Sequence, residues 1–315
     1  MGNPNGSTAR RKIAPLLCEA LRRLARPAGI LAPLFLTACQ PAILDPRGPV
    51  GLAERAIMID ALAIMLAIVV PTVVGILAFA WWFRASNTRA AHLPEWAFSG
   101  RIELVVWSVP ALVIMLLGGV AWIGSHDLDP AEPLPSRAPP LDVQVVSMDW
   151  KWLFIYPGEG VASINQLVIP SGTPIHFTLT SASVMNAFFI PRLGSMIYTM
   201  NGMTTRLNLQ ADEPGTFRGL SSHFSGDGFA DMHFDVLALP PERFVEWTRA
   251  TRGTGRLLDS TAYTALSQQS TNLAPSTFGS TQPGLFEDIT SQKLPPGPGP
   301  SKGRPHPSVS PRTED

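Results

Sequence analysis

The sequence predicts a membrane α+β protein, a two-helix transmembrane hairpin followed by an exported β-sandwich. Three observations carry this prediction. Two long apolar runs, Ala56 to Phe83 and Leu104 to Ile123, stand in the first half of the chain. Short alternating segments broken by Gly and Pro then run from Leu141 to Leu239. Charged residues are only 15% of the 315, and hydrophobic ones reach 45%, where soluble globular proteins carry about 25% charge.

The 24 basic and 24 acidic residues cancel, so no global field favours a nucleic-acid partner. Cys18 and Cys39 are the only cysteines, which excludes disulfides from the body of the chain. Residues 1–38 read as an export signal. Arg10, Arg11 and Lys12, then Arg22, Arg23 and Arg26, make a basic region. Ala28 to Ala38 is apolar but too short to span a bilayer. The segment ends Leu36-Thr37-Ala38-Cys39, which resembles a bacterial lipobox. That resemblance implies cleavage before Cys39 and acylation of its thiol. An ordinary signal peptide with a chance cysteine is the alternative. Residues 39–55 would then be an exported N-terminal segment.

The hairpin is expected over 56–124. Ala56 to Phe83 exceeds the roughly 20 residues that cross the hydrocarbon. Asp60 falls one turn inside this run, at an interfacial depth. Pro71 is central, which membrane helices tolerate, and Trp81 and Trp82 suit the interfacial belt. Leu104 to Ile123 carries no charge and has Trp107 and Trp122 near its ends. Arg84, Arg89 and Arg101 sit in the connector, whereas Asp127, Asp129 and Glu132 follow the second run. The positive-inside rule places the connector in the cytoplasm and both flanking parts in the periplasm, consistent with an export signal.

Residues 125–140 form a linker, proline-rich from Pro130 to Pro140 and stiff. The domain at 141–240 is expected to contain strands at Asp142 to Met148, Trp152 to Tyr156, Gln166 to Ile169, Ile175 to Thr180, Thr204 to Leu209 and His233 to Leu237. In the first, Val143, Val145 and Ser147 share one side. Regular spacing of such strands argues for a β-sandwich or Greek-key barrel. Residues 241–290 are expected to be a helical extension, beginning with an amphipathic helix at Pro241 to Arg252. Residues 291–315, with seven prolines between Pro295 and Pro311, are expected to be a disordered tail.

Three motifs lie in order in the exported part. They are Val146-Ser147-Met148-Asp149-Trp150-Lys151-Trp152 with Phe154-Ile155-Tyr156-Pro157, then Ser183 to Ser195 (SVMNAFFIPRLGS), then Glu213-Pro214-Gly215-Thr216-Phe217 running on to Ser225-Gly226 and Met232. With the hairpin they closely resemble subunit II of the cytochrome o (bo-type) ubiquinol oxidases, in the haem–copper oxidase superfamily, over roughly Asp45 to Pro240. The resemblance implies a cupredoxin-like Greek-key β-sandwich. It implies an accessory subunit of a proton-pumping quinol oxidase, with haems and copper B in a partner subunit I, ubiquinol as substrate of the complex, and subunits III and IV and membrane lipid as neighbours. It implies neither a nucleic-acid partner nor a cytochrome c donor, and no catalytic residue or cofactor in this chain.

Copper-bearing relatives hold a binuclear centre with two thiolates, two imidazoles, a thioether and a carbonyl. By the resemblance, the first histidine falls at Asn186, the cysteines at Ser221 and Ser225, the second histidine at Phe229 and the methionine at Met232. Only Met232 keeps a ligand type, and no cysteine in the domain can rebuild a thiolate pair. Trp150 and Trp152, where those relatives carry an aromatic electron-entry patch, read as sandwich packing or as a contact to subunit I. His176, His223 and His233 are the histidines of the exported domain. His223 falls in the loop of the lost copper site, but the strand pattern puts His176 elsewhere, so a replacement metal site is disfavoured. Asn186 and Arg192 read as interface residues facing subunit I, with a surface salt bridge as the alternative for Arg192.

Glu103 opens the second apolar run in Arg101-Ile102-Glu103-Leu104-Val105-Val106-Trp107-Ser108-Val109-Pro110. The resemblance implies a glutamate at the mouth of a proton channel in subunit I. An interfacial carboxylate can collect protons. The alternative is a glutamate stabilised by the helix N-terminal dipole. Two rival functions are a copper-bearing cytochrome c oxidase subunit, opposed by the missing cysteines, and a free-standing membrane lipoprotein with a ligand-binding sandwich.

Overall fold

A computed structural model describes residues 42–91, 93–136 and 138–299. Cys39 and the proposed signal peptide lie outside the described residues. The chain divides after Asp45. Of the first unit, a 3-10 turn at Ala42–Leu44 is described. All that follows concerns the second unit.

Two helices, α1 (Pro49–Trp82) and α2 (Gly100–Asp127), are long and apolar enough to cross a membrane. Their apolar side chains stand exposed all round, as at Leu77, Phe79, Leu104 and Ile114, a surface that demands lipid or a protein partner. Pro71 lies within α1, and the next residue, Thr72, returns its hydroxyl to the Ile68 carbonyl at 2.7 Å. Arg84 closes the far end of α1, donating to the Trp81 carbonyl at 2.8 Å and lying over its ring. Near the other end the helices touch closely: a methyl on Gly124 would meet Ile57 Cδ1 at 2.8 Å.

Helix α1 starts at Pro49, seven residues before the apolar run, and this corrects the hairpin boundary. Its first turns are grafted onto the sandwich. Val50 is buried in the sandwich core. Arg47 N–H donates to Arg192 C=O at 2.6 Å and Gly51 N–H to Leu193 C=O at 3.0 Å. Ser195 donates to the Glu54 carboxylate. Gly48 permits the approach, since a Cβ there would lie 2.1 Å from the Gln210 carbonyl oxygen. Asp60 therefore sits about three turns into the helix, not one. Helix α2 likewise overruns Leu104 to Ile123 at both ends, starting after Ser99 and ending at Asp127.

The sandwich has ten strands before residue 240. These are β1 (Leu141–Met148), β2 (Lys151–Tyr156), β3 (Val161–Ile164), β4 (Gln166–Pro170), β5 (Ile175–Ser181), β6 (Asn186–Ile190), β7 (Gly194–Thr199), β8 (Thr205–Leu209), β9 (Gly215–Ser221) and β10 (His233–Leu239). Then come α3 (Pro241–Arg252), β11 (Leu257–Leu258), α4 (Ser260–Leu266), β12 (Ser276–Phe278), β13 (Ser280–Thr281) and α5 (Leu285–Thr290). One sheet runs β12-β3-β2-β1-β5-β8 and the other β4-β10-β9-β6-β7. The parallel pairs β1–β5 and β4–β10 show that strands cross between distant sequence positions instead of forming a meander.

Period-2 alternation divides the first sheet between two cores. Val143, Val145, Trp152, Phe154 and Tyr156 face the second sheet, where Phe188 and Phe234 stack with ring centroids 5.3 Å apart. Val146, Met148, Leu153, Ile155, Ala162 and Ile164 face the other way and are buried beneath Leu258, Tyr263, Phe278, Leu285, Phe286 and Ile289. The second core corrects two expectations. The 241–290 extension is not simply helical, because β12 pairs with β3 and joins the first sheet. Residues 291–299 are not a disordered tail: Gly297 N–H donates to Ala182 C=O at 2.8 Å and Gly299 N–H to the Asp149 carboxylate at 2.9 Å. A proline-rich strip has few N–H groups, and those of Gly297 and Gly299 are satisfied on the sandwich. Residues 300–315 lie outside the described residues.

Phe188→Ala, at the centre of the aromatic cluster, is expected to cost about 3–5 kcal/mol. Gly48→Ala is expected to cost roughly 1–3 kcal/mol by forcing α1 off the sandwich. Denaturant unfolding of the full chain in detergent, followed by tryptophan fluorescence, reads both; an unchanged midpoint would contradict the packing described.

Candidate functional site

One end of the sandwich, here the tip, gathers five connections: the β1–β2 turn, the β3–β4 turn at Asn165, the β5–β6 loop, the β7–β8 turn and the β9–β10 loop. Neighbouring strands bring the sequence-selected positions together there. Asn186 opens β6, Ser221 closes β9, and the register pairs Phe188 with Ser221. Met232 precedes β10, after the 3-10 turn Phe229–Asp231. Asn186, Ser221, Ser225 and Met232 are all buried.

These buried groups satisfy one another. The Ser221 hydroxyl lies 3.4 Å from Asn186 Oδ1 and 3.2 Å from the His223 carbonyl, and accepts from Ala187 N–H at 3.4 Å. Asn186 Nδ2 donates to the Val184 carbonyl at 3.2 Å. Ser221 N–H donates to the Met232 carbonyl at 3.0 Å. The Ser225 hydroxyl points at Met232 Sδ at 3.8 Å, and its carbonyl accepts from Trp150 Nε1 at 3.1 Å. Phe229 is half-buried and packs edge-on against Phe224 at 5.5 Å.

This donor set does not fit a thiolate-bridged copper pair. Two hydroxyls and an amide are hard, weak donors, a phenyl ring is none, and the one thioether faces a hydroxyl. Among the described residues no group of three or more His, Cys, Asp or Glu is placed to hold a metal. The histidines are spread out. His176 on β5 shares a hydrogen bond with Asn208 Oδ1 at 2.9 Å. His223 sits in the tip loop with its ring edge-on to Tyr198. His233 starts β10 and lines a cavity of about 200 Å³ with Asp231, Asp235, Asn165 and Asn272.

The β1–β2 turn adds a buried cluster of which the sequence singled out Trp150 but not Asp149 or Lys151. Trp150 adopts φ +63°, a left-handed conformation rare for a bulky residue. Asp149, Trp150 and Lys151 are nonetheless buried together. Asp149 accepts from the Ser183 hydroxyl at 2.5 Å and from Gly299 N–H. Lys151 Nζ donates to the carbonyls of Leu266 at 2.9 Å and Gln268 at 2.5 Å. Burial pulls the Lys151 ammonium down to a pKa of about 8, opposed by the nearby Asp149 charge. Burial, reinforced by Asp149, pushes the Tyr263 phenol up. The only sequence signal for this cluster was two opposite charges inside an apolar motif.

Trp152 is fully buried, with Phe188 and Phe234 at 5.4 and 5.5 Å, so it is a core residue. Arg192 is half-buried and anchors Arg47 through its carbonyl. Glu103 is not part of the tip. It lies exposed in the first turn of α2, with its N–H bonded to Ser99 C=O at 3.0 Å, at the end of the hairpin that carries the arginine-rich connector.

A lysine whose folded pKa is lowered is penalised while protonated. Below pH 8 the penalty is complete in the folded state; between pH 8 and 10.5 the unfolded chain binds more protons, so stability rises with pH. The full chain is expected to gain roughly 2–3 kcal/mol from pH 8 to 10 through this group, and Lys151→Met should remove that slope. Denaturant midpoints measured across this range check it; an equal slope in the variant would contradict it.

Residues 143–239 match the family model for the periplasmic domain of cytochrome c oxidase subunit II. The chain is 46% identical over 276 residues to ubiquinol oxidase subunit 2 of Acetobacter aceti, covering 87% of this chain and 90% of that protein. It is 46% identical over 263 residues to cytochrome bo(3) ubiquinol oxidase subunit 2 of Pseudomonas aeruginosa, covering 83% and 80%. A solved structure of the periplasmic domain of cytochrome oxidase subunit II from Bradyrhizobium japonicum aligns with a TM-score of 0.35 at 23% identity, covering 36% of this chain and 94% of that one. The hairpin, the cupredoxin-like sandwich and the likeness along most of the chain lead to one conclusion: this chain belongs to the ubiquinol oxidase subunit 2 family.

Proposed function

We propose that this chain is the accessory, non-redox subunit II of a terminal, proton-pumping ubiquinol oxidase of an aerobic respiratory chain. The observation that carries the reading is the donor set of the tip: positions that a copper pair would need hold Asn186, Ser221, Ser225 and Phe229, and the buried polar groups among them are hydrogen-bonded within the protein. A soluble cytochrome delivers electrons at the exported surface and needs a relay there. A lipid-soluble quinol delivers them within the bilayer and does not.

In this reading the partner subunit I holds the haems and copper B and reduces oxygen to water, and subunits III and IV complete the complex. This chain contributes its hairpin to the membrane assembly and its sandwich to the outer face. The arginine-rich connector lies in the cytoplasm and the sandwich in the periplasm; Cys39, acylated, anchors the N-terminus of the mature chain to the membrane. Glu103, at the cytoplasmic end of α2, gathers protons for subunit I.

Purification of the tagged chain in mild detergent should bring with it a large haem protein, and the complex should consume oxygen with quinol but not with reduced cytochrome c. Isolation of the chain alone would favour the free-standing lipoprotein. Glu103→Ala is expected to slow proton uptake during oxygen reduction severalfold; an unchanged rate would remove the role assigned to Glu103.

A further inference from the structure

The tip loops need a crosslink. In a copper-bearing sandwich of this fold, metal ligands would tie β6 to the β9–β10 loop. Here the donors do not fit that metal, yet Asn186, Ser221, Ser225 and Met232 are buried. The source of that order is visible in the C-terminal extension, which reaches all five connections of the tip.

At the β1–β2 turn, Gly299 N–H is bonded to Asp149, while the carbonyls of Leu266 and Gln268 hold Lys151 Nζ. At the β5–β6 loop, Gly297 N–H is bonded to the Ala182 carbonyl, and Ser183 shares the Asp149 carboxylate with Gly299. At the β7–β8 turn, Gln292 donates to Asn201 Oδ1 and lies against Gly202. At the β9–β10 loop, Asn272 donates to Asp231 at 3.1 Å. There Gly228 is wedged so tightly that an added Cβ would lie 2.3 Å from the Trp150 ring and 2.6 Å from Thr271 Cγ2. Asn165, which caps Trp152 N–H, also donates to the Leu273 carbonyl.

We propose that the C-terminal extension, from Leu266 to Gly299, is an intramolecular clamp that fixes the five tip connections in place of a metal and closes the Asp149-Trp150-Lys151 turn to soluble partners. The clamp is anchored away from the tip by the outer core, where Leu285, Phe286 and Ile289 pack on the first sheet. Its grip comes from backbone donors and acceptors meeting buried charges, which are costly to leave unpaired. The inference rests on the reading of the tip as copper-free.

The test uses the whole oxidase with this chain ending at Pro296, which deletes the Gly297 and Gly299 donors, against a control chain ending at residue 300, which keeps them. Hydrogen–deuterium exchange is followed by mass spectrometry. Amides of 182–186 and 222–232 are expected to exchange about tenfold faster in the shorter chain, with β4 and β8 unchanged. Lys151→Met, which keeps the chain intact, should loosen 266–273 and 226–231 in the same manner. Unchanged exchange at the tip in both variants, or an equal loosening of the whole sandwich, would overturn the clamp. Quinol-dependent oxygen consumption on the control sample separates the two readings: its absence counts against the proposed function, whereas the exchange pattern decides the clamp.

Discussion

At the tip of the sandwich, the Ser221 hydroxyl sits between the Asn186 side chain, the Ala187 amide and the His223 carbonyl. Burial makes this arrangement obligatory. A polar group removed from water must find a partner or cost a few kcal/mol. Each hydroxyl and amide of the tip is therefore committed to a neighbour, and the strand ends that carry them are fixed as a consequence. Asn186 ends up beside Ser221 because β6 and β9 are paired, and Met232 beside Ser225 because the 3-10 turn folds the β9–β10 loop back. Among these positions only the Met232 thioether is a soft donor, and it faces the Ser225 hydroxyl.

Two further constraints carry this arrangement to the membrane. The first turns of α1 belong to the sandwich as much as to the hairpin, with Val50 in the core and Gly51 bonded to Leu193. The sandwich thus sits on its hairpin through a packed joint, not a tether. The second constraint is the two-sided burial of β1, β2 and β3. A sheet with apolar residues on both faces needs two covers, and the extension supplies the outer one with residues far along the chain. The same extension then runs to the tip, so one segment both seals the sheet and holds the loops.

Parts of this were legible in the sequence and parts were not, for physical reasons. Leu104 to Ile123 announced a membrane helix because length and lack of charge have few other solutions. The start of α1 was hidden because Gly48, Gly51 and Glu54 interrupt the apolar pattern, and their partners Gln210, Leu193 and Ser195 lie far along the chain. Several strands escaped for related reasons: β9 carries two glycines, and β3 is four residues long. The outer core was invisible because Val146, Met148, Leu153 and Ile155 do not reveal which distant residues cover them. At the tip, residue identity alone excluded thiolates. By contrast, the burial of Asp149 and Lys151 depends on Gly299, Leu266 and Gln268, more than a hundred residues away, and no local pattern encodes it.

The most direct test of the account is to offer the purified complex excess copper, remove what is loosely held, and record the near-infrared spectrum and metal content of this subunit. The account predicts no thiolate–copper band and no stoichiometric copper in the sandwich. A stable band from copper bound at Met232 and its neighbours, bleached on mixing with a reduced soluble haem protein, would contradict it.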